Sequence, residues 1–228
     1  MGQKGGPDIP LANINSYSDN LNTRSYSGTG NTVSCLFSRY NFSYVNNPTV
    51  TTILKNIILS LNGSTQYAET GNSASTLFGN ASKSLSCWVY LNSSSNQSVI
   101  GFGNNSSGNT CFELTVSGGN FLFRTGPGYS WALHTATVNT WHHIVITYVT
   151  TAIIFGTYRF YVNGVQHSTG SASVSAAANT PLYIGNPIDS VNFGRLNGTV
   201  NQQITYTATL TAEQVQKIFT SQKGRYGL

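Results

Sequence analysis

The sequence predicts an all-β protein, a sandwich of two antiparallel sheets with one short helix near the C-terminus. Short apolar or β-branched runs recur about every 10 to 15 residues, and Asn, Gly and Ser separate them, as in sandwiches and barrels. Charged residues make up only 7% of the 228-residue chain, against roughly 25% in ordinary soluble domains, which excludes coiled coils and long helical bundles. Only one segment has helical periodicity.

Each predicted strand is an apolar or β-branched run that ends at turn residues. Asn62-Gly63 is a turn dipeptide that ends a strand, and Asn163-Gly164 predicts a tight hairpin, because Asn and Gly adopt the positive φ angles of tight turns. Gly118-Gly119 indicates another hairpin. The predicted strands cover residues 55–61, 84–91, 98–102, 111–116, 120–124, 141–148, 158–162, 182–185 and 197–206.

The helix is predicted from about Ala212 to Lys223. Thr211 and Gln214 fit a capping box, in which each side chain bonds to the backbone of the other residue. The residues expected to point into the sandwich are large and apolar: Leu85, Trp88, Val89, Trp141, Ile144, Ile146, Phe160 and Val162.

The first 14 residues are rich in Gly and Pro and are predicted to form a flexible or assembly-docked arm, ahead of one domain over residues 15–228. The opening residues contain no apolar run, so no signal peptide is expected. No stretch of 18 apolar residues occurs, so no membrane span is expected either.

Five segments between residues 84 and 219 follow a recognisable order: SLSCWVYL, NTWHHIVITY, RFYVNGV, PLYIGN and LNGTVNQQITYTATLTAEQVQKIF. In this order they resemble the laminin G-like, concanavalin A-like lectin domain, and SYSGTG and LSLNGSTQY upstream are also similar to it. The resemblance implies a jelly-roll sandwich over residues 15–228. With the C-terminal KGRYGL, the arrangement also resembles virion structural proteins of tailed phages and large DNA viruses.

Several chemistries lack the residues they need. No two of the six acidic residues lie within ten positions of each other, so no single strand can carry the pair of acids that glycosidic cleavage needs. We therefore expect that the protein is not an enzyme. We also expect that no two of its carboxyl groups lie within about 10 Å of each other in a cleft. His142 and His143 would face opposite sides of a strand and could not share a metal. Acid-poor loops disfavour calcium, for which Asp189 is the one candidate, so no metal or cofactor is expected.

The cysteines and the basic residues also exclude functions. The three cysteines lack C-x-x-C spacing, so neither a disulfide framework nor a zinc site is predicted. The basic residues are scattered along the chain, whereas a nucleic-acid-binding protein clusters them. No nucleic-acid partner is therefore expected.

Residues 126–134 are predicted to form a loop that offers aromatic rings to a ligand. Tyr129, Trp131 and His134 are candidates for glycan binding or for an interface, since binding residues concentrate on loops. These aromatic residues could instead cover an edge of the core or a subunit contact, because aromatics are enriched at protein interfaces as well.

The function predicted from these observations is a non-enzymatic virion structural protein, a capsid or tail component that contacts other coat subunits in a homo- or hetero-oligomeric assembly. Assembly contacts are expected at Gly2, Lys4, Pro7, Arg225 and Tyr226, although Tyr226 could pack on its own sandwich. Two alternatives stay open: a secreted or cell-surface lectin-like module, with a host-surface glycan as a possible partner, and a degenerate glycoside hydrolase.

Overall fold

Two antiparallel sheets pack face to face. The structure, a computed structural model, describes residues 9–37, 40–53, 56–71, 77–153 and 155–228. From edge to edge, sheet A contains β14 (Val165–Ser173), β13 (Phe155–Val162), β12 (Trp141–Thr150), β7 (Lys83–Leu91), β16 (Asn197–Tyr206), β5 (Asn56–Asn62) and β4 (Thr49–Ile53), and β1 (Ile14–Tyr17) pairs with β16.

Among the described residues sheet B also has eight strands, and its order likewise departs from the order of the chain. From edge to edge it contains β11 (Tyr129–Thr135), β10 (Asn120–Gly126), β9 (Cys111–Ser117), β8 (Gln97–Gly103), β15 (Tyr183–Ile184), β6 (Tyr67–Thr70), β3 (Phe42–Val45) and β2 (Thr32–Val33). The predicted all-β sandwich is therefore confirmed. Residue 55, the predicted start of one strand, lies outside the described residues.

The main core lies between the sheets and is built by alternate residues of each strand. Sheet B contributes Phe112, Leu114, Phe121 and Phe123. Six of the predicted inward residues of sheet A face them: Leu85, Val89, Ile144, Ile146, Phe160 and Val162.

Trp88 and Trp141 are buried, as predicted, but on the opposite face of sheet A. Side chains alternate along a strand, so Trp88 cannot share a face with Val89. The Trp88 ring stacks on Tyr226 with 3.9 Å between ring centroids, and its Nε1 donates a 2.7 Å hydrogen bond to Gln222 Oε1. These two tryptophans therefore belong to a second core outside the sandwich.

The C-terminal helix covers this outer face of sheet A. Helix α1 (Ala212–Gln222) begins with the predicted Thr211–Gln214 capping box, and a 3₁₀ turn (Lys223–Tyr226) follows it. Val215 and Ile218 of the helix are fully buried in a cluster with Val145 of β12. Sheet A is consequently buried on both faces where the helix lies. No described helix is long and apolar enough to cross a membrane.

The predicted Asn163-Gly164 turn is present, together with a close backbone contact at Gly198. Asn163 and Gly164 have φ angles of 50° and 82°, as the β13–β14 hairpin turn requires. Gly198 has a φ of +155°, and a Cβ there would lie 2.3 Å from the Tyr90 carbonyl oxygen. Only glycine therefore fits at the point where β16 meets β7.

The end of the predicted N-terminal arm lies on its own domain. Ile9 is buried in a cluster with Tyr17 of β1 and Ile218 of α1. Gly2, Lys4 and Pro7, three of the predicted assembly contacts, lie outside the described residues. Docking on a neighbouring subunit stays a prediction for them.

Candidate functional site

A buried ion-pair network lies on the outer face of sheet B. Glu113 of β9 and Arg124 of β10 are directly opposite each other across the hairpin, and Nη1 of Arg124 lies 2.7 Å from Glu113 Oε2. Nη2 of Arg124 lies 3.1 Å from Oδ2 of Asp189, which comes from the 186–195 loop. The three side chains are at most 4% exposed, so one buried cation is shared by two buried acids.

Burial and hydrogen bonding act differently on the two acids. Burial raises the pKa of the Glu113 carboxyl above its usual range, although Arg124 and a hydrogen bond from Ser98 oppose the shift. Burial also tends to raise the pKa of Asp189, but hydrogen bonds from Asn192 and from the Val191 backbone outweigh it and leave that pKa lowered. Asp189 is therefore the acid that is held ionised.

A polar pocket of about 330 Å³ opens over this network. The Phe193 ring covers the Arg124 guanidinium, with 4.4 Å between the guanidinium carbon and the ring centroid. The volume is at the lower end of the roughly 300–1,000 Å³ typical of small-molecule sites. We call this site the Arg124 pocket; it is lined by Asn96, Ser117, Leu122, Arg124, Gly128, Ser130, Asp189, Asn192 and Phe193.

We predicted that no two carboxyl groups lie within about 10 Å of each other in a cleft, and for Glu113 and Asp189 the predicted distance is wrong. Glu113 and Asp189 both bond to one guanidinium, and the size of that group places their bonded oxygens within about 8 Å of each other. The two acids come from β9 and from a loop, so no pattern along a single strand could reveal them. The Arg124 guanidinium bridges the two acids, and Glu113 is fully buried.

Asp189, the candidate calcium ligand, has other partners. Its Oδ2 accepts hydrogen bonds from Arg124 and Asn192, and its Oδ1 accepts one from the Val191 backbone. These bonds organise the loop over the pocket. Within the described ranges, no group of three or more His, Cys, Asp and Glu side chains could hold a metal ion.

The candidate aromatic segment is a strand, not the predicted loop. Tyr129, Trp131 and His134 lie on β11, the edge strand of sheet B. The half-buried Trp131 ring stacks on Phe123 with centroids 5.7 Å apart and packs against the main core. His134 lies 4.3 Å, between ring centroids, from His167 on the edge strand of sheet A.

Tyr129 differs from these two residues because it is 50% exposed. Ser130, its neighbour, lines the Arg124 pocket. One of the three predicted residues thus has an exposed ring, on the strand that also contributes Ser130 to the pocket, while Trp131 covers an edge of the core, the alternative that the sequence left open.

Arg225 and Tyr226, predicted as assembly contacts, have intramolecular partners. Arg225 forms two hydrogen bonds, of 2.9 and 3.1 Å, with the Asp19 carboxylate. Tyr226 is 1% exposed, because its ring fills the space against Trp88. An external contact at Tyr226 is therefore corrected to packing on its own sandwich.

The adjacent histidines face opposite sides of β12, as predicted. The His142 ring meets Phe121 of sheet B edge-on at 5.3 Å, whereas His143 lies 5.1 Å from Trp88 on the outer face of sheet A. They therefore share no ligand.

The residues that sequence reasoning missed are those of the Arg124 pocket. One signal was present: a two-residue turn at Gly118-Gly119 places Glu113 directly opposite Arg124, and opposite charges in that position attract. Sequence reasoning named Asp189 only as a candidate calcium ligand, and nothing local pointed to Asn192 and Phe193, because the 186–195 loop reaches the hairpin only in the folded chain.

A family model for the concanavalin A-like lectin/glucanases superfamily matches residues 62–216. The chain therefore belongs to this superfamily, as the resemblance implied. A comparison with curated proteins gives no match.

Several solved structures share the fold at low sequence identity. Trypanosoma rangeli sialidase in complex with the inhibitor DANA is 16% identical, with a TM-score of 0.69 over 94% of this chain and 34% of that chain. Domain 4 of AbnA, a GH43 extracellular arabinanase from Geobacillus stearothermophilus, in complex with arabinotriose, is 17% identical, with a TM-score of 0.66 over 90% of this chain and 97% of that one.

The binding domain of Paraclostridial Mosquitocidal Protein 1 is 14% identical, with a TM-score of 0.65 over 92% of this chain and 52% of that chain. The chain spans about a third of the length of the sialidase chains that it matches. At these identities the likeness establishes the fold alone.

Proposed function

We propose that this protein is a non-catalytic carbohydrate-binding module and that the Arg124 pocket is its binding site. The observation that carries the proposal is the pocket itself, in which hydrogen-bonding groups are held in place by a buried ion-pair network. Preorganised groups of this kind lower the cost of ordering a site on binding.

The chemistry of the lining matches that of a sugar. A sugar hydroxyl both donates and accepts hydrogen bonds, and the pocket offers the Asp189 carboxylate together with amides and hydroxyls from Asn96, Asn192 and Ser130. Phe193 and Leu122 supply apolar surface for the C–H face of a ring.

The fold relatives support the same class of function. Domain 4 of the Geobacillus arabinanase is a separate domain solved with arabinotriose, and the present chain matches 97% of it. The superfamily description also includes lectins. Both favour the lectin-like alternative over the virion role.

The absence of catalysis is part of the proposal. Glycosidic cleavage needs two carboxyl groups with open space for a sugar between them. Here the Arg124 guanidinium bridges Glu113 and Asp189, at 2.7 and 3.1 Å, and Glu113 is fully buried. A sugar in the pocket would therefore meet one carboxylate rather than a pair.

A virion coat role is a second candidate, and exposed apolar side chains favour it. Ile153, which follows β12, is 88% exposed, and Phe155, the first residue of β13, is 54% exposed. Exposed apolar patches mark protein contacts. The test is whether the protein is found in purified particles and whether Ile153→Ser reduces its incorporation.

The binding proposal is tested by blocking the pocket. Ser130 is exposed and lines the pocket, so Ser130→Trp should fill it without disturbing the core. Thr135→Trp is the matched control, because Thr135 is an exposed residue on the same strand that does not line the pocket. An immobilised panel of neutral and acidic oligosaccharides identifies ligands, and calorimetry measures their affinity.

We expect Ser130→Trp to weaken binding by about tenfold or more, which corresponds to about 1.4 kcal/mol, and Thr135→Trp to have no effect. Equal binding by both variants would show that the Arg124 pocket is not the binding site. If a third variant, Tyr129→Ala, were the only one to lose binding, the site would lie on the exposed face of β11. Failure of every panel member to bind would overturn the proposal.

A further inference from the structure

We infer that the Arg124 pocket selects neutral sugars and discriminates against sugars that carry a carboxylate. This inference rests on the proposed function and adds the charge class of its ligand. An arginine in a sugar pocket would ordinarily suggest an acidic ligand, because arginine binds carboxylates through two parallel hydrogen bonds. The partners of Arg124 argue for the opposite preference.

The positive charge of Arg124 is already neutralised by acidic side chains of the protein. Arg124 and Asp189 are the charged residues among its lining, and Glu113 lies directly behind Arg124. With Glu113 protonated the network is neutral, and with Glu113 ionised it has one net negative charge. Neither state attracts an anion.

The geometry of the guanidinium leads to the same conclusion. Its two terminal nitrogens each donate to a different carboxylate, Nη1 to Glu113 and Nη2 to Asp189. Each terminal nitrogen has a second N–H group, but a ligand carboxylate that accepted from it would share Arg124 with two acids that already accept from it. It would also approach Asp189, a like charge that is held ionised by Asn192 and Val191.

Burial makes this arrangement rigid. Arg124 is 3% exposed, Asp189 is 4% exposed and Glu113 is fully buried, while the Phe193 ring covers the guanidinium. Charge interactions are stronger in such an interior than in water. A neutral sugar, by contrast, adds no charge beside Asp189 and can bond to the amides and hydroxyl of Asn96, Asn192 and Ser130 in the lining.

The charge of the whole chain predicts the opposite result, which makes the test decisive. The formal net charge is +5, and a basic protein attracts anions non-specifically. A preference for neutral sugars would therefore have to come from the pocket and not from the overall charge.

The experiment compares matched ligands on the full chain. Each neutral probe is paired with a carboxylated counterpart of the same core: lactose with 3′-sialyllactose, and galactotriose with trigalacturonate. Affinities are measured by NMR titration at physiological ionic strength, with Ser130→Trp to show that binding is in the pocket. The neutral member of a pair should bind at least about tenfold more tightly.

Two acid-to-amide variants test the cause. Asp189→Asn keeps an acceptor for the Val191 backbone and removes one carboxylate from Arg124, so binding of the acidic member should strengthen several-fold. Asp19→Asn is the matched control, because Asp19 is a buried acid paired with Arg225 away from the pocket. Circular dichroism and thermal melting check that both variants fold.

The outcomes separate the two proposals. Tighter binding of the acidic member, lost in Ser130→Trp, would overturn the inference and leave the binding function standing. An unchanged preference in Asp189→Asn would refute the charge argument. If neither member of any pair binds, the proposed function fails and the inference fails with it.

Discussion

Acidification should destabilise this protein through His143. The ring is fully buried against Trp88 and Phe219, with Nε2 2.9 Å from the Ser86 hydroxyl and no hydrogen-bond partner for Nδ1 among the described residues. Burial lowers the pKa of His143 from 6.5 to about 3. The folded protein therefore holds the neutral ring at pH values where the unfolded chain binds a proton.

The sign follows from proton binding. Below about pH 6.5 the unfolded state binds more protons, so stability falls as the pH falls towards the folded-state pKa. One pKa unit corresponds to about 1.4 kcal/mol, and since the unfolded-state histidine is half protonated at about pH 6.5, His143 should cost about 2.3 kcal/mol between about pH 6.5 and 4.5. His142 and His134, whose pKa values burial also lowers, add to the same trend.

The assay is urea unfolding at several pH values on the wild type and on His143→Gln. We expect the variant to be less stable at every pH, but its loss between about pH 6.5 and 4.5 should be smaller by about 2.3 kcal/mol. His167→Gln, at an exposed position, is the control and should keep most of the slope. Parallel curves for wild type and His143→Gln would refute the reasoning.

Three further predictions concern buried residues. Burial lowers the pKa of Lys83 to about 7, so above that pH the folded state holds the neutral amine while the unfolded chain still binds a proton. Between about pH 7 and 10 the free energy of unfolding of the wild type should therefore rise on the order of 4 kcal/mol more than that of Lys83→Met. Urea titrations that show no difference between the two proteins would contradict this. Tyr226→Ala should lower the free energy of unfolding by about 3–5 kcal/mol, because it leaves a cavity against Trp88. The control Leu228→Ala, at a 44% exposed residue, should change it by about 0.5 kcal/mol or less. Equal losses for the two variants in denaturant unfolding would show that the Tyr226 ring does not fill the second core. Arg124→Met should cost about 3–5 kcal/mol because it leaves buried acids unpaired, and an unchanged melting temperature would argue against the network.

Much of the Arg124 pocket was beyond prediction from the sequence. The Glu113–Arg124 pair could be predicted, since the turn at Gly118-Gly119 sets the hairpin register. Asp189 is 65 positions from Arg124, and its contact depends on where the 186–195 loop crosses sheet B. Residues 126–134 were predicted as a loop, yet β10 and β11 form a hairpin connected by Pro127 and Gly128, and residues 129–135 are the edge strand of sheet B.

The sequence by itself determined the features that depend on near neighbours. Alternation along strands, the Asn163-Gly164 turn and the Thr211–Gln214 capping box each involve residues at most a few positions apart, so their geometry follows from local sterics and hydrogen bonds. Family motifs placed the same elements in order.

Only the tertiary structure decided which faces are covered and by what. Trp88 is paired with Gln222, 134 positions away, because the C-terminal helix folds back over sheet A and makes a second core of an outer face. The Arg124 pocket arises in the same way, when a distant loop brings Asp189 to a charge that β9 and β10 have already buried. Such contacts depend on the summed packing of the whole chain, which no local pattern encodes.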